Sequence, residues 1–189
     1  MLIKRIIIFS DGSVHPQSQT GVGAYLILDA DEFTSLKHQY IKLKHQNRTG
    51  EAQLNLDVLP IHTQIFSPTS STTLELETII HAMEYLKSTY PKYTLYITHY
   101  TDSQNIISLK NRQYKLEQNN YLSKRTNLPI KHKSLYLTYY RLTQMMQIKS
   151  IKLKGHTQKS EINFEQVIFK KVDQYARKNL RQLKSTPHD

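Results

Sequence analysis

The segment Ile3–Ser10 (IKRIIIFS) constrains the fold more than any other part of the chain. A run this dense in isoleucine, halted by Asp11-Gly12, reads as a buried strand. Gly21–Leu28 reads as a second strand and Ser35–Lys44, which alternates imperfectly, as a third, close enough in sequence for an antiparallel meander. Gln46–Thr72 has no clear period and is expected to be irregular, with Ile61–Phe66 a candidate short strand. Thr73–Tyr90 carries Leu74, Ile79, Met83 and Leu86 near helical spacing, and Pro91 ends that helix. Tyr93–Thr101 follows as a strand, Ser103–Leu109 as a short helix, and Asn111–Lys133 as a polar segment rich in Lys, Arg, Asn and Tyr. Ser134–Met146 reads as helix, Ile148–Lys154 as extended, and Glu165–Leu183 as helix. This order predicts an α/β fold, a five-stranded mixed sheet flanked by helices, in one domain spanning residues 1–189.

The chain has 26 Lys+Arg against 15 Asp+Glu, a net charge of +11, which points to a polyanionic partner such as nucleic acid. With no cysteine, disulfides, a thiol nucleophile and Cys-ligated metal centres are excluded. The apolar run near the start is too short for a signal-peptide core, and no stretch could span a bilayer, so a soluble cytoplasmic protein is expected.

Four carboxylates sit at predicted element ends or on helices. Asp11 ends the first strand in Phe9-Ser10-Asp11-Gly12-Ser13, and Asp102 ends the fourth in Thr101-Asp102-Ser103-Gln104. Glu75 lies in the first turn of the long helix, and Asp173 lies in the last helix within Val172-Asp173-Gln174-Tyr175-Ala176-Arg177. Each has an ordinary explanation. Asp11-Gly12 is a common turn pair, and Asp102 suits a helix N-cap. Thr72-x-x-Glu75 matches a capping box, and Asp173 with Arg177 matches a surface pair.

Taken in order, these segments resemble the ribonuclease H family, in its type 1 single-domain form. The resemblance runs from Ile6 to about Arg181. It rests on Asp-Gly-Ser after the first strand, Thr-Thr-Leu-Glu-Leu opening a helix, Thr-Asp-Ser-Gln ending the fourth strand, Lys154-Gly155-His156, and Asp-x-x-Ala-Arg in the last helix. It implies that Asp11, Glu75, Asp102 and Asp173 are catalytic, metal-binding carboxylates and that His156 is the mobile histidine beside them. It further implies two Mg²⁺ ions (with Mn²⁺ as a substitute), Asp11 shared between them, and cleavage of the RNA strand of an RNA/DNA hybrid. Charge repulsion supports the grouping: four converging carboxylates need either protons or cations, and Mg²⁺ prefers oxygen ligands.

By the same resemblance Glu75, Gln104 and the backbone of Gly12 and Ser13 face the RNA ribose, whose 2′-hydroxyl separates RNA from DNA. Ser70, Ser71 and Thr72 stand where the family has Thr-Asn-Asn. Lys124, Arg125, Lys131 and Lys133, with Tyr114 and Tyr121, occupy the place of the family's basic handle, where they would meet DNA phosphates. A solvated lysine-rich loop is the ordinary alternative there. Two spacings are long: Asp11 to Glu75, which an insertion at 46–72 would explain, and His156 to Asp173, within which Glu161 and Glu165 are rival ligands. The competing functions are a nucleic-acid-binding module with weak or no catalysis, and a DNA-directed nuclease of the same superfold. The nearness of Met1 to the first strand suggests a free-standing protein rather than a domain released from a polyprotein, with no hybrid-binding domain ahead of it.

Overall fold

The computed structural model describes residues 2–46, 54–154 and 162–185. The sheet comprises β1 (Leu2–His15), β2 (Thr20–Asp29), β3 (Ile61–Phe66), β4 (Tyr93–Thr101) and β5 (Gln147–Lys152), in the spatial order β3-β2-β1-β4-β5. β1–β2 and β2–β3 are antiparallel, and β1–β4 and β4–β5 are parallel, so the sheet is mixed as expected. Its helices are α1 (Ala30–His45), α2 (Ser71–Thr89), α3 (Gln104–Gln118), α4 (Lys133–Met145) and α5 (Phe164–Ser185).

The strand alternation of β1 divides the core in two. Ile6 and Ile8 pack with Leu76, Ile79, Met83, Leu95, Ile97, Ile106, Tyr140 and Leu142 under α2, α3 and α4. Ile7 and Phe9 face the opposite layer, where Leu26, Leu28, Phe33, Tyr40, Phe164, Ile168 and Val172 bury the inner faces of α1 and α5. Burying both faces of the central strand explains its near-continuous isoleucine run.

Three expectations are corrected. Ser35–Lys44 is not a strand but the body of α1. Asp29 caps that helix by accepting from Asp31 N at 3.1 Å. Phe33, Leu36, Tyr40 and Leu43 recur at helical spacing along the stripe turned to the core. The meander's third strand is therefore Ile61–Phe66, reached through residues 30–60, where Leu54, Leu56 and Leu59 join the α1/α5 core. Second, Asp11-Gly12 does not stop β1. The strand runs on to His15, with Asp11 opposite Ala24 and Gly12 opposite Gly23. Third, the short helix expected to end at Leu109 continues to Gln118 and takes in the start of the basic segment. After it, an isolated bridge between Leu122 and Pro129 closes the remaining loop. The 46–72 segment is described from 54 onward and contains a 3₁₀ turn (Leu56–Val58), β3 and the start of α2.

Candidate active site

The β1–β4 register pairs Phe9 with Tyr100, and their rings stack at 4.8 Å. Carried two residues further, the same offset brings Asp11 level with Asp102, on the face that Phe9 and Tyr100 share. That face is covered by α5, which brings Asp173 close enough to Asp11 for the two carboxyl groups to perturb each other. Glu75 arrives from the other layer. Its helix lies unusually close to the sheet because Gly12, Gly21 and Gly23 have no side chains. A Cβ on Gly12 would sit 2.7 Å from Leu74 Cδ2, and one on Gly23 would sit 2.1 Å from Thr78 Oγ1. The first turn of α2 is thereby pressed against the end of β1.

Three of the ordinary explanations do not describe these carboxylates. Asp11 is in a strand, not a turn. The N-cap of α2 is Ser70, whose Oγ accepts from Thr73 N at 3.3 Å, so Glu75 has no capping duty. The N-cap of α3 is Ser103, which accepts from Ile106 N at 3.2 Å, so Asp102 is not a cap either. The hydroxyl of Ser103 donates instead to the Glu75 carboxylate and ties α2 to the end of β4. The fourth explanation holds alongside the cluster, since Arg177 Nε donates to Asp173 Oδ1 at 2.6 Å.

The electrostatics follow from crowding. Burial pushes the Asp11 carboxyl up to about 8, against the pull of the Gly12 backbone N–H. The nearby Asp173 carboxyl and the charges of Asp102 and Asp173 contribute to that rise. Glu75 is also raised, first by burial and then by Asp102, while the Ser103 hydroxyl opposes the shift. Asp11, Glu75, Asp102 and Asp173 thus form one electrostatically linked set. Among the described residues, no three His, Cys, Asp or Glu side chains are grouped closely enough to hold a metal ion as they stand. The donor chemistry, all carboxylate oxygen, suits a hard divalent cation such as Mg²⁺ or Mn²⁺. Glu165, the rival ligand, is instead engaged by Lys37 at 2.7 Å, and Glu161 and His156 lie outside the described residues.

Beneath the cluster lies a polar contact that sequence patterns do not mark. His99 is completely buried, with Nε2 2.8 Å from Ser10 Oγ and Nδ1 3.2 Å from Ser150 Oγ. It crosses β1, β4 and β5 next to the carboxylate edge, and burial lowers its pKa to about 3. A second unmarked residue is His132, in left-handed conformation (φ 63°) just before α4. Its Nε2 lies 3.1 Å from Thr73 Oγ1 and anchors the end of the basic segment on the first turn of α2.

The other expected substrate residues are spread around this edge. Gly12 and Ser13 continue β1, Ser71 and Thr72 are exposed on α2, and Gln104 opens α3 with Oε1 2.6 Å from Lys152 Nζ. Lys124, Arg125 and Lys131 are exposed, whereas Lys133 donates to Asn120 O at 3.3 Å and lies over the Tyr121 ring.

This fold, a five-stranded mixed sheet with helices on both faces, is similar to that of solved ribonuclease H domains. One neighbour is the RNase H domain of PFV in solution, with a TM-score of 0.62 at 14% identity, covering 93% of this chain and 94% of that one. Another is LC9-RNase H1, a type 1 RNase H with the type 2 active-site motif, with a TM-score of 0.63 at 12% identity, covering 96% and 74%. The N-terminal RNase H domain of rv2228c from Mycobacterium tuberculosis, solved as a maltose-binding-protein fusion, has a TM-score of 0.52 at 10% identity, covering 97% and 99%. No curated protein matches the chain by sequence. The RNase H family model matches residues 3–180, and the chain belongs to that family.

Proposed function

We propose that the protein is a divalent-metal-dependent endonuclease that hydrolyses the RNA strand of RNA/DNA hybrids. The observation that carries this proposal is the electrostatic linkage of Asp11, Glu75, Asp102 and Asp173 beside the paired strands β1 and β4. A scaffold that only binds nucleic acid gains nothing from gathering negative charge beside phosphates.

In this mechanism Asp11, Glu75, Asp102 and Asp173 would hold two Mg²⁺ ions. Bound there, Mg²⁺ supplies an activated water and neutralises charge on the scissile phosphate and the leaving oxygen. Ser103 holds the Glu75 carboxylate toward the β4 edge, so α2 and β4 present their ligands together. Glu75, Gln104 and the backbone of Gly12 and Ser13 would meet the ribose edge. Ser71, Thr72, Lys124, Arg125 and Lys131 would position the partner strand through its phosphates, and His156 would assist product release. Binding energy is thereby spread over many phosphate contacts, while the chemistry depends on four side chains.

The test is cleavage of labelled RNA/DNA hybrid, double-stranded RNA and double-stranded DNA, with Mg²⁺ and with chelator. Cleavage of the hybrid alone, in Mg²⁺ alone, is expected. Asp102→Asn should lower hybrid cleavage by several orders of magnitude and leave hybrid affinity near that of the parent, because a carboxamide cannot replace the ligand. A mutant cleaving within tenfold of the parent would overturn the two-metal assignment.

A further inference from the structure

The link between β2 and β3 is far longer than their pairing requires. These strands are hydrogen-bonded antiparallel neighbours, a geometry that a hairpin loop of two to five residues can close. The chain instead spends residues 30–60 there and builds α1, which carries none of the four carboxylates. Between α1, the β4–β5 edge and the start of α5, this arrangement leaves a groove of about 730 Å³. Its catalytic end is formed by Tyr100, two residues before Asp102, and by Lys152, whose ammonium reaches Gln104.

The groove has an apolar floor and a basic rim. Tyr100 and Ile151 are partly exposed along it, and Ile41 is 40% exposed. Lys37, Lys44 and His45 stand on the α1 side and Lys152 on the other. Among the described residues the one acidic lining residue is Glu165, and Lys37 already engages its carboxylate at 2.7 Å. Among the described residues Lys44 makes one long contact of 3.5 Å, to Ile162 O. Fixed positive charge over exposed apolar surface suits a single nucleic-acid strand, whose phosphates meet the ammonium groups while its unpaired bases and sugars cover the floor. A paired duplex would offer the floor nothing, because its bases are stacked inside.

We propose that this groove binds an unpaired nucleic-acid strand continuing from the hybrid held at the carboxylate edge. The proposal rests on the hybrid-cleaving function given above, and it assigns α1 and Lys152 a second contact surface distinct from the basic segment at 111–133.

The experiment measures affinity by fluorescence anisotropy, in Ca²⁺ so that oxygen ligands are engaged, for a blunt hybrid and for the same hybrid with a single-stranded RNA overhang at either end. Parent protein is compared with K44A/K152A and with the charge-matched control K87A/K92A, whose lysines are exposed elsewhere. The parent should bind one overhang hybrid about tenfold more tightly than the blunt one, in the range of a single base–aromatic contact. K44A/K152A should lose most of that gain, with the salt slope on the overhang hybrid falling by about 1.4 for two single-strand phosphate contacts. Its loss of affinity for the blunt hybrid, where only Gln104 is released from Lys152, should be several-fold smaller, and the control should stay at parental values. Equal affinity of the parent for blunt and overhang hybrids would overturn the proposal. So would an equal loss by K44A/K152A on both, which would make the groove a duplex contact. Failure of the hybrid-cleaving function shows separately, as a parent that neither binds nor cuts blunt hybrid. Unpaired RNA titrated alone then decides the groove, which fails if K44A/K152A binds it as the parent does.

Discussion

Replacing His99 with Gln should flatten the acid sensitivity of folding. The native imidazole is fully buried between Ser10 and Ser150, and its pKa is lowered to about 3 from an ordinary 6.5. Below pH 6.5 the unfolded chain therefore takes up a proton that the folded protein refuses. The stabilising contribution is present above that pH and is lost as pH falls. Each pKa unit corresponds to about 1.36 kcal/mol, so moving from pH 7.5 to pH 5.0 should cost the parent about 2 kcal/mol through this residue alone. In a chain of this size that corresponds to a fall of roughly 4–8 °C in melting temperature. Asp11 acts in the opposite direction, because its raised pKa lets the folded state bind a proton first as pH drops. Both proteins keep Asp11, so the difference between them isolates His99. The assay is urea unfolding followed by far-UV circular dichroism at the two pH values, since the chain has no tryptophan. His99→Gln will lower stability at both pH values, and the informative quantity is the change between them. If parent and variant lose equal stability on acidification, within about 0.5 kcal/mol, the imidazole is not held neutral and the argument from burial fails.

Gly23→Ala should destabilise by about 1–3 kcal/mol, because the new methyl would sit 2.1 Å from Thr78 Oγ1. It should also reduce hybrid cleavage by displacing Glu75 with α2, and G23A/T78A should recover part of both losses in melting and activity assays. In the basic segment, K124A/R125A/K131A should raise KM at fixed kcat and lower the salt slope of hybrid binding by up to about 2.7. An unchanged slope would leave those side chains as solvated loop charge.

Much of the fold was legible because β1 and β4 carry unambiguous apolar patterns, each followed by an aspartate and a small residue, Asp11-Gly12 and Asp102-Ser103. Helix α2 was legible from its apolar spacing and Pro91. The error at Ser35–Lys44 came from trusting a weak alternation over a better helical stripe, although Asp29 in the sequence already offered the cap. Turn propensity at Asp11-Gly12 lost to pairing across β2, which no local pattern can announce. The choice of Ser70 over Thr72 as the α2 cap was likewise hidden, since the hydroxyl that takes up Glu75 belongs to Ser103, at the far end of β4. His99 and His132 were missed for the same reason: each is defined by a partner on another strand or helix, and a lone histidine carries no spacing signal. Asp173 was favoured over Glu165 on its local motif, and the two side chains do part company, one joining Asp11 and the other Lys37.

The position of α5 as the last element has a consequence for how the molecule is made. Synthesis delivers β1 through β5 before the helix that roofs Phe9, Ala24, Leu26 and Leu28. Until that helix docks, among the described residues one side of the sheet has α1 and the Leu54–Leu59 stretch to shield it, and the emerging chain exposes an apolar surface of the kind that recruits chaperones or neighbouring chains. Asp173 travels on the same helix. Closing the greasy side of the sheet and delivering the fourth carboxylate are therefore one event, and a molecule arrested short of it is sticky and, on the function proposed above, inert.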